Sequence, residues 1–229
     1  WSLLGAEVPS PIINDKAFYA NFTNEGGVDG TIRFLKNIMG LWLLQECRRT
    51  WEKEGKAYDY AELARLASEA KPFAAAVDPN HDSFFQPGDM PARIAEFCRK
   101  TGQTQPATHG EFARVALESL ALVYRRTIET IEKLTGRTCR VLHVVGGGSQ
   151  NRLLNQFTAD CTGRVVRAGP VEATAFGNCL MQAIALGHVG SLSEAREVVR
   201  NSVSPETFEP AQDRAAWEEA YGRFKKLGR

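Results

Sequence analysis

VLHVVGGGSQN, residues Val141 to Asn151, opens as an apolar run rich in β-branched residues and breaks into Gly146-Gly147-Gly148 before three polar side chains. The run reads as a buried strand, and consecutive glycines leave the backbone bare where a side chain would block a close neighbour. Arg152 to Cys161 continues with helical spacing, so the stretch is a strand-to-helix turn. Such a turn aims unpaired N–H groups and a helix N-terminus at a floor of exposed backbone, which suits a nucleotide. Two common nucleotide patterns do not fit. Forced onto G-x-G-x-x-G, the string ends on Asn151 where glycine or alanine is needed, and the next strand closes Arg167-Ala168-Gly169 without the acid that would hold a ribose. No GK[ST] completes a phosphate loop. Two readings stay open: Ser149, Gln150 and Asn151 hydrogen-bond a base or ribose lying on the glycines, or this is a plain tight turn with Ser149 as helix cap.

Downstream the order is strand 140–145, the glycine turn, helix 150–162, strand 164–168, Gly169-Pro170 and helix 172–186, a β-α-β-α succession with short connections. Helices from Ser193 to Arg200 and Gln212 to Lys226 then flank a loop holding Ser204-Pro205 and Pro210. Upstream, Thr108 to Leu134 is the longest helix, because Phe112, Ala116, Leu120, Val123, Thr127 and Ile131 recur at helical spacing. That stripe is expected to pack on the sheet, and Gly136 ends the helix. Asp89 and Pro91 announce a helix over Ala92 to Lys100, Phe73 to Gly88 reads as an ordered loop, and Tyr60 to Glu69 as a short amphipathic helix. A further helix is expected from Ile38 to Glu54, closed by Gly55. At the front, Gly5 to Lys16 reads as a loop, Ala17 to Thr23 as a strand, Asn24 to Gly27 as a turn and Thr31 to Lys36 as the return strand.

A 25.3 kDa chain folded as one unit hides roughly 70% of its extended surface, enough for a large core. The net charge of +1 arises from 28 basic and 27 acidic side chains, well mixed, so no basic stripe marks a nucleic-acid partner. No apolar run is long enough to span a bilayer and no charged-then-apolar leader opens the chain, so the expectation is a soluble, cytoplasmic protein without a membrane partner. The five cysteines lie 18 to 51 residues apart without a CxxC pair, and the four histidines are scattered. That spacing disfavours a disulfide framework and a zinc site; most of the thiols, and His143, are expected in or near the core.

Several separated segments carry a resemblance. VVGGGSQNRLLNQFTAD (Val144 to Asp160), AGPVEATAFGN (Ala168 to Asn178), NFTNEGG (Asn21 to Gly27) and FLKNIMGLWLLQ (Phe34 to Gln45) together resemble the C-terminal half of FGGY carbohydrate kinases, most closely the rhamnulokinase branch, over essentially the whole chain. The resemblance implies an α/β fold of the actin-like, ribonuclease-H-like ATPase type, a mixed β-sheet flanked by helices. It implies that residues 1–229 are the nucleotide-binding C-terminal domain of an enzyme that passes the γ-phosphate of ATP to a keto-sugar. The turn from Gly146 to Asn151, with Gly146 and Gln150 among its nucleotide-binding residues, then matches the adenosine-binding motif: Gly147 and Gly148 lie against the adenosine of ATP or ADP, Asn151 reaches the base edge, and Asn37 and Gln45, at the entry to the first long helix, stand near the nucleotide. Glu172 to Asn178 matches a connecting helix with a structural, hinge-related role, in which Gly177 permits a close helix crossing.

The family's catalytic aspartate, its Mg²⁺ ligands and most of its sugar pocket belong to an N-terminal domain not contained here, so no catalytic or metal-binding residue is assigned. Asp29, Asp78, Asp82 and Asp89 match no catalytic position. Trp1-Ser2-Leu3-Leu4-Gly5 lacks an initiator methionine and starts as if inside a strand, so the chain is expected to be a fragment, silent as a kinase by itself. The alternatives are another FGGY sugar substrate, such as fuculose or xylulose, and a non-catalytic adenine-nucleotide module.

Overall fold

The computed structural model describes residues 2–227, so the Trp1 end of the expected first strand lies outside the described residues. Strand β1 (Ser2–Val8) does not stop at Gly5 as expected. Gly5 stands opposite Leu35, where an added Cβ would lie 2.4 Å from the Phe34 carbonyl oxygen. The glycine marks close backbone approach within a strand, not a break. AFYANFT is not one strand either. It divides into helix α1 (Asp15–Tyr19), capped by the Asn14 side chain, and strand β2 (Thr23–Gly26), with Asn21 at φ 59° between them. Ala17 and Phe22 face inward while Phe18 and Tyr19 stay exposed, so the apparent alternation did not report burial. Strand β3 (Ile32–Ile38) pairs antiparallel with β1 and β2, giving the expected hairpin with its turn displaced past Gly26.

Because β3 continues through Ile38 and Gly40 turns the chain at φ 60°, helix α2 (Trp42–Lys53) starts later than periodicity suggests. Helices α3 (Tyr60–Glu69) and α4 (Met90–Lys100) are capped by Asp59 and Asp89. The loop between them is anchored by buried Phe84, whose carbonyl accepts from Trp42 Nε1 at 2.9 Å. Helix α5 (His109–Thr135) opens with a reciprocal Thr108–Glu111 capping box and ends at Gly136, φ 69°. Its predicted stripe is buried, but the partners are chiefly α3 and the later helix α6 (Arg152–Thr162), with β1 contributing.

Strand β4 (Val141–Val144) leads through the glycine turn into α6, then strand β5 (Val165–Ala168), helix α7 (Ala173–Ala185) and helix α8 (Leu192–Ser202). Strand β6 (Glu206–Phe208) and helix α9 (Ala215–Phe224) follow. β4 and β5 are parallel, whereas β6 pairs antiparallel with β5, Phe208 opposite Val166. β6 went unforeseen because so short a segment between Pro205 and Pro210 has no period to read. The strands form two three-stranded sheets, β1-β3-β2 antiparallel and β4-β5-β6 mixed, flanked by helices. The main apolar core joins α2 to α6 and draws in Trp217, Tyr221 and Phe224 of α9. Within it, Arg114 and Glu118 pair at 2.7 Å; Arg114 also donates to the carbonyls of Ala67, Ser68 and Ala70, and Glu118 accepts from Phe73 N–H. This network closes the C-terminus of α3 onto α5.

Candidate functional site

The parallel pairing of β4 and β5 extends into the turns that follow them. Gly169 N–H donates to the Val144 carbonyl at 2.8 Å, and Gly146 N–H donates to the Pro170 carbonyl at 3.1 Å. The glycine turn is thereby zipped to the segment that leads into α7. Gly146 has φ 76° and ψ −167°, a region essentially restricted to glycine. From there Gly147–Gln150 form one 3₁₀ turn, in which Ser149 directs both its N–H (3.0 Å) and its Oγ (2.7 Å) to the Gly146 carbonyl. Ser149 is buried behind the turn, and Gln150 is exposed with no hydrogen-bond partner among the described residues. A Cβ added to Gly146, Gly147 or Gly148 would meet no atom within 4 Å, so a bare backbone face opens outward.

The helix cap is Asn151, not Ser149: its Oδ1 accepts from Leu154 N–H at 3.0 Å. Its Nδ2 has no protein partner among the described residues, so any reach toward a base falls to that amide donor. Asn37 is exposed inside β3, not at a helix start, and Gln45 lies half-buried in the first turn of α2. Neither side chain has a hydrogen-bond partner among the described residues, and no hydrogen bond joins either to the turn. The structure therefore brings the Gly146–Gly148 backbone, Gln150 and Asn151 to one surface with Ser149 buried behind it, and leaves Asn37 and Gln45 on the first sheet and its adjoining helix.

Opposite the turn, the C-terminal carbonyls of α6 are held by guanidinium groups. Cys161 O accepts from Arg125 at 3.2 Å and from Arg214 at 3.1 Å, while Thr162 O accepts from Arg164 at 2.7 Å. Cations there complement the helix dipole whose other end opens at the glycines. Sequence reasoning missed these arginines and also Asn155, which is 1% exposed and donates from Nδ2 to the Ser149 carbonyl at 2.9 Å. A polar residue among Leu154, Phe157 and Thr158 on the inner face of α6 was the available signal.

His143 is not a core residue: it points outward on β4 beside Arg167, and partial desolvation followed by the Arg167 charge lowers its pKa. Cys161 is buried as expected, its thiol pushed up to about 12 by desolvation. Among the described residues nothing crosses close to Gly177, where a Cβ would meet no atom within 4 Å, and α7 has no buried residue. Asp78 is engaged by Arg126 at 2.7 Å and Asp89 caps α4, so two of the acids set aside as non-catalytic have structural partners. Among the described residues, no cluster of three or more His, Cys, Asp or Glu side chains could hold a metal, and no helix is long and apolar enough to cross a membrane.

Residues 1–186 match the C-terminal domain of the FGGY family of carbohydrate kinases, and the chain belongs to that family. Across 229 residues it is 46% identical to a rhamnulokinase of Bacteroides thetaiotaomicron, covering all of this chain and 46% of that protein. The chain spans about half the length of the curated relatives it matches. In fold it resembles a ligand-bound xylulose kinase from Lactobacillus acidophilus, at a TM-score of 0.69 and 14% identity over 98% of this chain and 44% of that one. Glycerol kinase of Plasmodium falciparum, solved with ADP, gives a TM-score of 0.63 at 15% identity over 86% of this chain and 38% of that one. The actin-like α/β architecture expected from the sequence is thus the fold of the chain.

Proposed function

We propose that residues 1–229 are the ATP-binding C-terminal domain of a two-domain sugar kinase whose other half supplies the sugar pocket, the catalytic base and the Mg²⁺ ligands. The observation that carries this reading is the open glycine face of Gly146, Gly147 and Gly148, where bare backbone at a helix start can lie flat against an adenosine. Gln150 and the Asn151 amide stand at its rim as free polar groups; Asn37 and Gln45 are the further candidates for the nucleotide's surroundings. The likeness to rhamnulokinases supports L-rhamnulose as the acceptor, phosphorylated at its 1-hydroxyl. In such a transfer this domain's residues bind and orient the nucleotide so that its γ-phosphorus faces the sugar oxygen, since positioning and electrostatics supply most of the rate. Helix α7, uncharged and without a buried residue, is the face that meets the other half.

Calorimetric titration of the 229-residue chain with ATP tests the reading. Weak binding without sugar phosphorylation is expected, because the adenosine side of the site is present without the phosphate side. Micromolar affinity accompanied by phosphorylation of L-rhamnulose would overturn it.

A further inference from the structure

Ser149 sits at the junction where the 3₁₀ turn passes into α6, and its carbonyl has left the 3₁₀ ladder without joining the helical one. Buried beside α6, that oxygen needs a donor from elsewhere. Asn155 supplies it, one helical turn beyond Asn151, with its own N–H on the Asn151 carbonyl at 3.0 Å and its Nδ2 on Ser149 O at 2.9 Å. Ser149 in turn grips the Gly146 carbonyl twice. A chain of hydrogen bonds therefore runs from a buried helix position, through Ser149, to the glycine whose conformation turns the bare backbone face outward.

We infer that Asn155 is a positioning residue for the nucleotide: it never touches the ligand, and holds the glycine turn in its receiving shape through the Ser149 carbonyl. The inference rests on the reading of this turn as the adenosine seat. Without the amide, the Ser149 carbonyl is left buried and unsatisfied, and the turn relieves it by rotating the peptide toward solvent, which reorients the Gly147 and Gly148 backbone. The ligand loses a preformed floor and has to reorder it on binding.

In the full-length protein that carries this domain, Asn155→Leu, of similar size but without a donor, should raise the KM for ATP about 10-fold, the loss of roughly one buried hydrogen bond. kcat should stay within about twofold and the KM for the sugar should not move, because the chemistry lies elsewhere. Hydrogen exchange of residues 146–151 in the nucleotide-free protein should quicken while α5 stays protected. Asn155→Ala, which cannot overpack the helix interface, gives the same readouts if the leucine variant folds poorly. An unchanged KM for ATP in a folded variant, or a fall confined to kcat and thermal stability, would show a merely structural residue. If the unaltered protein does not bind ATP, the adenosine reading of the turn fails as well, an outcome distinct from a failure at Asn155 alone.

Discussion

Helices α5 and α7 are built for opposite surroundings. In α5 every residue from Phe112 to Val123 is buried, including the charged Arg114 and Glu118, which pair with each other and bond the end of α3 and the loop after it. In α7 the sequence ATAFGNCLMQAIA carries no charge, yet none of its 13 residues is buried and its chief packing partner among the described residues is α8. An uncharged helix normally earns its place by burial. The contrast teaches that α5 is the spine of this chain, while α7 is a surface whose counterpart belongs to the rest of the kinase we propose.

The strongest attack on the spine is Glu118→Ala. It removes the buried counter-charge of Arg114, leaving that guanidinium only its carbonyl acceptors, and takes away the acceptor of the Phe73 N–H, and should cost about 3–5 kcal/mol in urea unfolding. A loss below 1 kcal/mol would break the picture of α5 as the centre of stability.

Next in size are the glycines linking the two regions. Gly146→Ala forces a side chain into a conformation at φ 76°, with an expected cost of about 1–3 kcal/mol. Gly147→Ala has open space around it, so stability should stay within about 0.5 kcal/mol while ATP affinity falls, as calorimetry on the pair would separate.

On α7, Phe176→Ser should leave the stability of the 229-residue chain within about 0.5 kcal/mol, since Phe176 is 37% exposed. Cys179, exposed on the same helix, should react with a thiol reagent far faster than buried Cys47, Cys98 or Cys161, whose thiols burial pushes upward. In the full-length protein that fast reaction should slow; equal rates in both would mean that α7 meets no partner.

The smallest effect concerns the first residue of α5. His109 stacks on Trp51 at 4.3 Å and bonds Tyr58 through Nδ1 at 2.9 Å; desolvation, then the Lys56 charge, lowers its pKa. The folded state thus binds the proton less readily than the unfolded one, so stability is full above pH about 6.5 and declines as pH falls below it. His109→Gln should flatten that acid limb of the stability profile.

Much of this organisation was legible locally. Tyr60–Glu69, the Asp89 cap and the Thr108 start of α5 follow from side chains bonding to backbone within a few residues, and the Gly136 and Gly163 stops from the left-handed conformation that glycine adopts without strain. The glycine turn was legible for the same reason. What misled were positions whose partner is remote. Gly5 reads as a break until Leu35 lies against it, AFYANFT alternates without alternating in burial, and His143 reads as core until β4 is seen to turn it outward. Asn151 illustrates both: its place at the turn was foreseen, but neither open reading of the turn gave it the capping bond that claims its Oδ1, and the plain-turn reading gave the cap to Ser149.

The sequence by itself determined the order of elements, most of their ends and the presence of a bare-backbone turn, because caps, periodicity and glycine conformations are decided by neighbours along the chain. Only the tertiary structure decided that the sheet divides in two, that β6 completes the second part, that Asn155 faces Ser149 and that no described residue buries α7. Each of these depends on which surfaces meet across long stretches of chain, and hydrogen bonding and burial between remote segments leave no local periodicity to read.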